Sequence, residues 1–187
     1  MPVRQTTKQA IAQTFLELLE KRCIDKITVK DIATECGVNR QTFYYHFRDI
    51  YDLMEWCLTQ GIEKYASQQL AVDENWQDQI RLLFHFFYQH RIAILHGYDA
   101  TNRVQYERVV VKWVSQMVYN RLESYPQAQA VPEEKKEFIS KVYARGYAGI
   151  VLEWIEDGMP DERHVRLEDY FVMMDGSMET ALEKFRR

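Results

Sequence analysis

Between positions 39 and 48 the chain sets Asn39, Arg40, Gln41, Thr42, Tyr44, Tyr45, His46 and Arg48 around two phenylalanines, Phe43 and Phe47. The first eight all carry hydrogen-bonding groups, which is the chemistry of recognition rather than of bond making. At about 100° per residue of a helix, Phe43 and Phe47 share one face, Gln41, Thr42 and Tyr45 share the opposite one, and Arg40, Tyr44 and His46 flank them. The two rings would anchor such a helix while its polar, aromatic side enters the major groove of duplex DNA. Arg40 would read guanine through O6 and N7, and Gln41 adenine through N6 and N7, each with about 1–3 kcal/mol of discrimination. The alternative is that Tyr44 and Tyr45 merely pack against the protein.

Other chemistry is poorly supplied. There is no G-x-x-x-x-G-K phosphate loop, no H-E-x-x-H and no G-x-S-x-G in the sequence. His85, His90 and His96 are spaced by five and six residues, which does not stack them on one helical face for a metal. The three cysteines, Cys23, Cys36 and Cys57, form no C-x-x-C pair and suit neither a disulfide framework nor a zinc site. The expectation is therefore a protein that is not an enzyme and carries neither metal nor cofactor.

The elements that must position the recognition segment are legible around it. Thr6 and Thr7 precede Ile11, Phe15, Leu18 and Leu19 at helical spacing, so a first helix is expected to end near Lys21 or Arg22. Thr28 and Asp31 form a capping box that opens a second helix with Ile32, Ala33 and Cys36 on its buried side. Gly37 stands where that helix needs a residue of positive φ, and Asn39 caps a third helix over residues 40–47. Two short helices joined at Gly37, with a longer one before them, make a three-helix unit whose second pair is a helix-turn-helix.

This stretch resembles the DNA-binding signature of the TetR-type transcriptional regulators. Thr28, Ile32 and Ala33 match its T-x-x-x-I-A, Gly37-Val38 its G-V, and Thr42-Phe43-Tyr44-Tyr45-His46-Phe47 its T-[LF]-Y-x-H-F, within a likeness over residues 6–55. The resemblance implies that Thr42, Tyr44 and His46 hold the DNA backbone and that Arg40, Gln41 and Tyr45 are variable base-reading positions. Thr28, Lys30, Asn39 and Arg48 complete the candidate DNA-binding set. One departure is Ile50, where such regulators usually carry a lysine at the start of the next helix, leaving that phosphate contact to Arg48 or Lys30.

The rest of the chain reads as helical too. Asp49 and Asp52 repeat the capping pattern before one long helix to about residue 70, within which Gly61 lowers stability by roughly 1 kcal/mol relative to alanine and offers a flex point. After Asp73-Glu74-Asn75, a fifth helix is expected to carry Ile80, Leu83, Phe84 and Phe87 on one face, with further helices over residues 92–95, 102–123, 133–157 and 161–185 and residues 126–132 as a linker. The fold class is all-α, about nine helices, with a DNA-binding domain at 1–50 and a ligand-binding and dimerisation domain at 51–187. Residues 1–50 carry eight basic and six acidic side chains, +2, against a whole-chain charge of −4. A slightly positive head on an acidic body suits a protein that meets a polyanion with its head alone.

No apolar run approaches the roughly 20 residues of a membrane span, and no apolar stretch follows the first positive charges, so a cytoplasmic protein without membrane contact is expected. A second likeness lies at Gly146, Gly149, Trp154 and Gly158, which follow the G-x-x-G-x-x-x-x-W-x-x-x-G stretch of TetR-type regulators common in Firmicutes, including regulators linked to dihydroxyacetone kinase. Gly146 and Gly149 would let a neighbouring backbone approach closely, and the last two helices would build a four-helix homodimer interface or pack within the chain. Phe84, Phe87, Tyr88, Tyr106, Trp113, Tyr143 and Tyr147 could line a pocket for a small effector or be plain core. The expected function is a ligand-responsive, homodimeric repressor on a pseudo-palindromic operator. The alternative is an activator or co-regulator working with a partner protein.

Overall fold

The computed structural model describes residues 3–69, 76–98, 103–161, 164–174 and 176–186, and the side chains of residues 6–67, 76–98, 103–161, 167–174 and 176–186. The described residues hold α-helices and short 3-10 turns and no strand. The expected turn at 73–75 and the expected helix start at 102 lie outside them.

The N-terminal unit is α1 (Val3–Leu19), α2 (Val29–Cys36) and α3 (Arg40–His46). The first helix stops at Leu19, before Lys21, because the chain then turns through a 3-10 segment, Ile24–Lys26, that delivers Ile24 and Ile27 to the core. The capping box at the head of α2 is complete. Thr28 N–H donates to Asp31 Oδ2 at 2.9 Å, and Asp31 N–H donates to Thr28 Oγ1 at 3.2 Å. Gly37, at φ +71°, ends the helix: its N–H donates to Thr34 O at 3.2 Å and Val38 N–H to Ala33 O at 2.9 Å. That pair of bonds satisfies the last carbonyls of α2 and needs a left-handed residue between them. Phe15, Ile27, Ile32, Phe43 and Phe47 are all buried in one cluster. Burial contributes about 1.5–3 kcal/mol for each large apolar side chain.

Helix α4 (Ile50–Gln69) leads into the body, which is built from α5 (Trp76–Gln89), α6 (Arg91–Gly97), α7 (Arg103–Glu123), α8 (Glu133–Glu156), α9 (His164–Met174) and α10 (Ser177–Phe185). Long antiparallel α7 and α8 pack side by side. Buried Phe84 lies against Trp154 and Tyr147, with ring centroids 4.8 and 5.6 Å away. Helix α8 ends at Gly158, φ +81°, where Gly158 N–H donates to Ile155 O at 3.0 Å and Met159 N–H to Trp154 O at 2.8 Å. Trp154 then ties the turn down by donating from Nε1 to Pro160 O at 2.8 Å.

Two expectations are corrected. The stretch 126–132 is not a free linker, because Pro126–Ala130 forms a 3-10 turn that buries Ala128, and Val131 follows it into the core. The final helix is two helices: Gly176, at φ +67°, bends the chain, and the Ser177 hydroxyl donates to Met174 O at 2.6 Å across the break. As expected, α4 runs unbroken through Gly61, whose missing side chain admits the Phe86 ring.

Candidate nucleic-acid interface

Asn39 fixes where α3 begins. Its Oδ1 accepts from the Thr42 backbone N–H at 2.7 Å and from the Thr42 hydroxyl at 3.0 Å. From that start, the helical period turns Phe43 and Phe47 inward, 0% and 2% exposed, and leaves Tyr44 and Tyr45 51% and 61% exposed. Arg40 and Gln41 are exposed on the same outer side, and Thr42 and His46 are half-buried at its edges. The tyrosines therefore do not pack away into the protein. Phe47 is held from behind: its ring meets Trp56 edge-on at 5.8 Å, and Lys8 Nζ stands 4.9 Å from the Phe47 centroid and 4.8 Å from that of Trp56. Lys8 of α1 thus joins the end of α3 to α4.

The remaining residues of the set lie at helix ends. The Thr28 hydroxyl donates to Asp31 Oδ2 at 2.8 Å, so it serves the cap of α2. Hydrogen bonds from the Thr28 hydroxyl and backbone N–H hold the Asp31 carboxyl below its ordinary range. Lys30, one residue into α2, is exposed. Arg48 Nε donates to Asp49 Oδ2 at 3.0 Å, while Asp49 caps α4 by accepting from Asp52 N–H at 2.8 Å. The Asp49 carboxylate holds the Arg48 guanidinium more firmly protonated than usual. Ile50 is half-buried against the core, so this position offers no charge to a phosphate. What the surface supplies is donors, acceptors and flat rings, the equipment for groove contacts.

The aromatic residues of the body do not surround one cavity. Phe84, Phe87 and Tyr147 are core, with the Tyr147 hydroxyl donating to Ile80 O at 3.2 Å and burial pushing it well above the usual phenol range. Tyr88 stacks on Trp154 at 6.2 Å, and Trp113 faces a small cleft beside Thr59 and Ile62. Tyr143 donates to Ser177 Oγ at 2.7 Å and borders an outer groove with Phe138 and Val142. Tyr106 alone of the seven lines a cavity between α1 and the body, whose other walls sequence spacing gave no means to find. At the glycines of α8, among the described residues a Cβ on Gly149 would meet nothing within 4 Å, and one on Gly146 only the Tyr170 ring at 3.9 Å, so no backbone of this chain approaches them. Among the described residues no three histidines, cysteines or carboxylates gather to hold a metal. Among them, too, no helix is long and apolar enough to cross a membrane.

A short helix seated by two phenylalanines behind a positive-φ glycine, with its polar side outward, defines a helix-turn-helix DNA-binding protein. Residues 6–57 match the family described as bacterial regulatory proteins, tetR family, and residues 74–176 match the transcriptional regulator C-terminal region. The chain belongs to the TetR-type transcriptional regulators, which are non-enzymatic DNA-binding proteins.

It is 25% identical over 112 residues to the HTH-type dhaKLM operon transcriptional activator DhaS of Lactococcus lactis subsp. lactis (strain IL1403), a match spanning 57% of this chain and 59% of that protein. Among solved structures it superposes on the dihydroxyacetone kinase operon activator DhaS with a TM-score of 0.54 and 19% identity, over 97% of this chain and 98% of that one. A tetR-family transcriptional regulator from Streptomyces coelicolor gives a TM-score of 0.58 and 14% identity, over 99% and 90%. At these identities the solved structures speak for the fold alone.

Proposed function

We propose that the chain works in the cytoplasm as a homodimer that binds a pseudo-palindromic operator, each protomer placing α3 in a major groove. The observation that carries this reading is the outward face of α3, where Tyr44 and Tyr45 are 51% and 61% exposed beside Arg40 and Gln41. In this reading residues 1–50 form the DNA-binding domain and residues 51–187 the effector and dimerisation domain, the division falling where α4 begins. Dimerisation is supported by an exposed apolar band, Phe138, Val142, Val172 and Met173, that a second copy would cover.

Repression follows from occupancy alone, since a dimer seated on a promoter excludes polymerase without further contacts. Activation is the second reading, favoured by the likeness to a relative named as an activator. The test is to select fragments of the source genome on the purified protein and titrate the selected site against a scrambled one at two salt concentrations. The expected result is tighter binding to the selected site at both salts, with affinity for either falling as salt rises. Equal affinity for the two sequences would leave only a nonspecific electrostatic term and overturn the reading.

A further inference from the structure

A half-open cavity of about 310 Å³ lies where the N-terminal unit meets the body, lined by α1, α4, α5, α6 and α7. Phe15, Leu19, Met54, Leu58, Phe86 and Ile94 wall it, all of them buried. Close-packed interiors leave few voids larger than a water molecule, and this one reaches the lower size range of small-molecule pockets. Its inner polar groups are few. The Tyr106 hydroxyl donates to Ile94 O at 3.2 Å, and the Cys57 thiol, which borders the space, is buried. The body of any occupant must therefore be apolar. The mouth has a different character: Glu17 and Glu20 of α1 stand there with exposed His90 and with Gln13, which donates to Glu17 Oε1 at 3.0 Å, and the lining includes no lysine or arginine.

We propose that this junction cavity binds a compact apolar cation, an alkyl or alicyclic ammonium whose hydrocarbon part fills the space and whose charged end meets Glu17 and Glu20. The rings of Phe15, Phe86 and Tyr106 add apolar wall for the hydrocarbon part. Resting on the reading of the chain as a DNA-binding regulator, the site also assigns a route of control. Its walls belong to both units, and Leu19, at the end of α1, accepts at its carbonyl from His96 Nδ1 of α6 at 2.6 Å. An occupant touching Leu19 and Ile94 together sets the spacing of α1 and α6, and with it the placement of α3 on DNA.

The test uses the full chain and three probes sharing one hydrocarbon body, 1-adamantylammonium, 1-adamantanol and 1-adamantanecarboxylate, titrated by calorimetry. The expected result is saturable binding in the order ammonium, alcohol, carboxylate. The double substitution Glu17→Gln with Glu20→Gln, on an exposed face of α1, should lower ammonium affinity about three- to tenfold and leave the alcohol unchanged. Ala93→Leu, which adds volume inside the cavity, should weaken all three probes. Absence of saturable binding by every probe, carboxylate binding as tight as ammonium, or equal losses for ammonium and alcohol in the double variant would each overturn the site. Operator affinity is measured with and without saturating ammonium. If the probe binds as expected and operator affinity does not change, the route of control falls and the site stands. If no operator preference exists without probe, the DNA-binding reading fails instead.

Discussion

A Cβ built on Gly61 would stand 2.7 Å from Phe86 Cζ, so α4 and α5 meet with an aromatic ring against helix backbone. In an exposed helix, replacing glycine by alanine stabilises by about 1 kcal/mol. Here the added methyl must displace a ring that is 6% exposed and already faces Phe87 at 5.7 Å. Gly61→Ala is therefore expected to destabilise by about 1–3 kcal/mol, the range for overpacking. Urea unfolding followed at constant m-value measures it; a gain in midpoint would mean that Phe86 moves aside freely.

The caps of the N-terminal unit give a second pair of outcomes. Asn39→Ala removes the acceptor that holds the first turn of α3 and should cost about 1 kcal/mol, most of it restored by Asn39→Asp. For Asp31 the sign follows from its lowered carboxyl: the folded state favours the charged form, so the contribution is complete above the ordinary carboxylate range and disappears as pH falls through the folded pKa. Comparing unfolding midpoints of the native chain and Asp31→Asn from pH 7 to pH 3 should show a gap that closes on the acid side. A gap that stays constant would assign it to something other than this charge.

Position 50 makes the phosphate contacts testable. Ile50 is apolar and Arg48 is held by Asp49, so Lys30 is the exposed cation expected to meet the backbone near the start of α2. Lys30→Ala should flatten the dependence of log affinity on log salt by about 0.9, Arg48→Ala should leave the slope unchanged, and Ile50→Lys should steepen it by a similar amount. Base reading separates from these by sequence. Gln41→Ala should change which site is preferred by about 1–3 kcal/mol at one base pair, whereas Tyr44→Ala weakens all sites alike. Unchanged preference after Gln41→Ala would remove its role.

His96 is a polar tie between α6 of the body and α1. Its Nδ1–H donates to the carbonyl of Leu19, the last residue of α1, satisfying a group that the helix itself leaves open. His96→Ala should cost about 1 kcal/mol of stability and weaken operator binding by freeing the end of α1. His96→Asn, which keeps a donor, should recover part of both. Full stability in the alanine variant would show that water replaces the ring without loss.

What the sequence made legible is local. Thr28 with Asp31, Gly37 and Asn39 each act through backbone groups within five residues, so their types and spacing carry the whole instruction, and the alternation of Phe43 and Phe47 with Gln41 and Tyr45 sets the faces of α3. What it hid depends on distant partners. Phe84 and Tyr106 each fall on an apolar helical face in sequence, yet one packs against Trp154 and the other borders a cavity with Phe15, because the tertiary course of α1 and α8 decides. The break at Gly176 was hidden as well, since the apolar stripe of Leu167 and Phe171 continues in Met178 and Leu182 on both sides of it.

The exposed face of α8 supplies the last prediction. Phe138 and Val142 are 56% and 52% exposed, and Gly146 and Gly149 follow on the same side at steps of four and three. Among the described residues nothing lies within 4 Å of a Cβ built on Gly149, which leaves room there for a second copy to approach closely. Beside this face runs a groove of about 390 Å³ bordered by Met173, Ala181 and Phe185. In a two-fold dimer each residue near the axis meets its own counterpart, so Val142→Glu would set two carboxylates together in an apolar contact. The expected outcome is a monomer in sedimentation with an unchanged far-ultraviolet helix signal. Operator affinity should drop at least about a hundredfold, because two linked half-site contacts become one. A variant that stays dimeric would place the interface elsewhere. A monomer with full operator affinity would mean that one copy of α3 suffices.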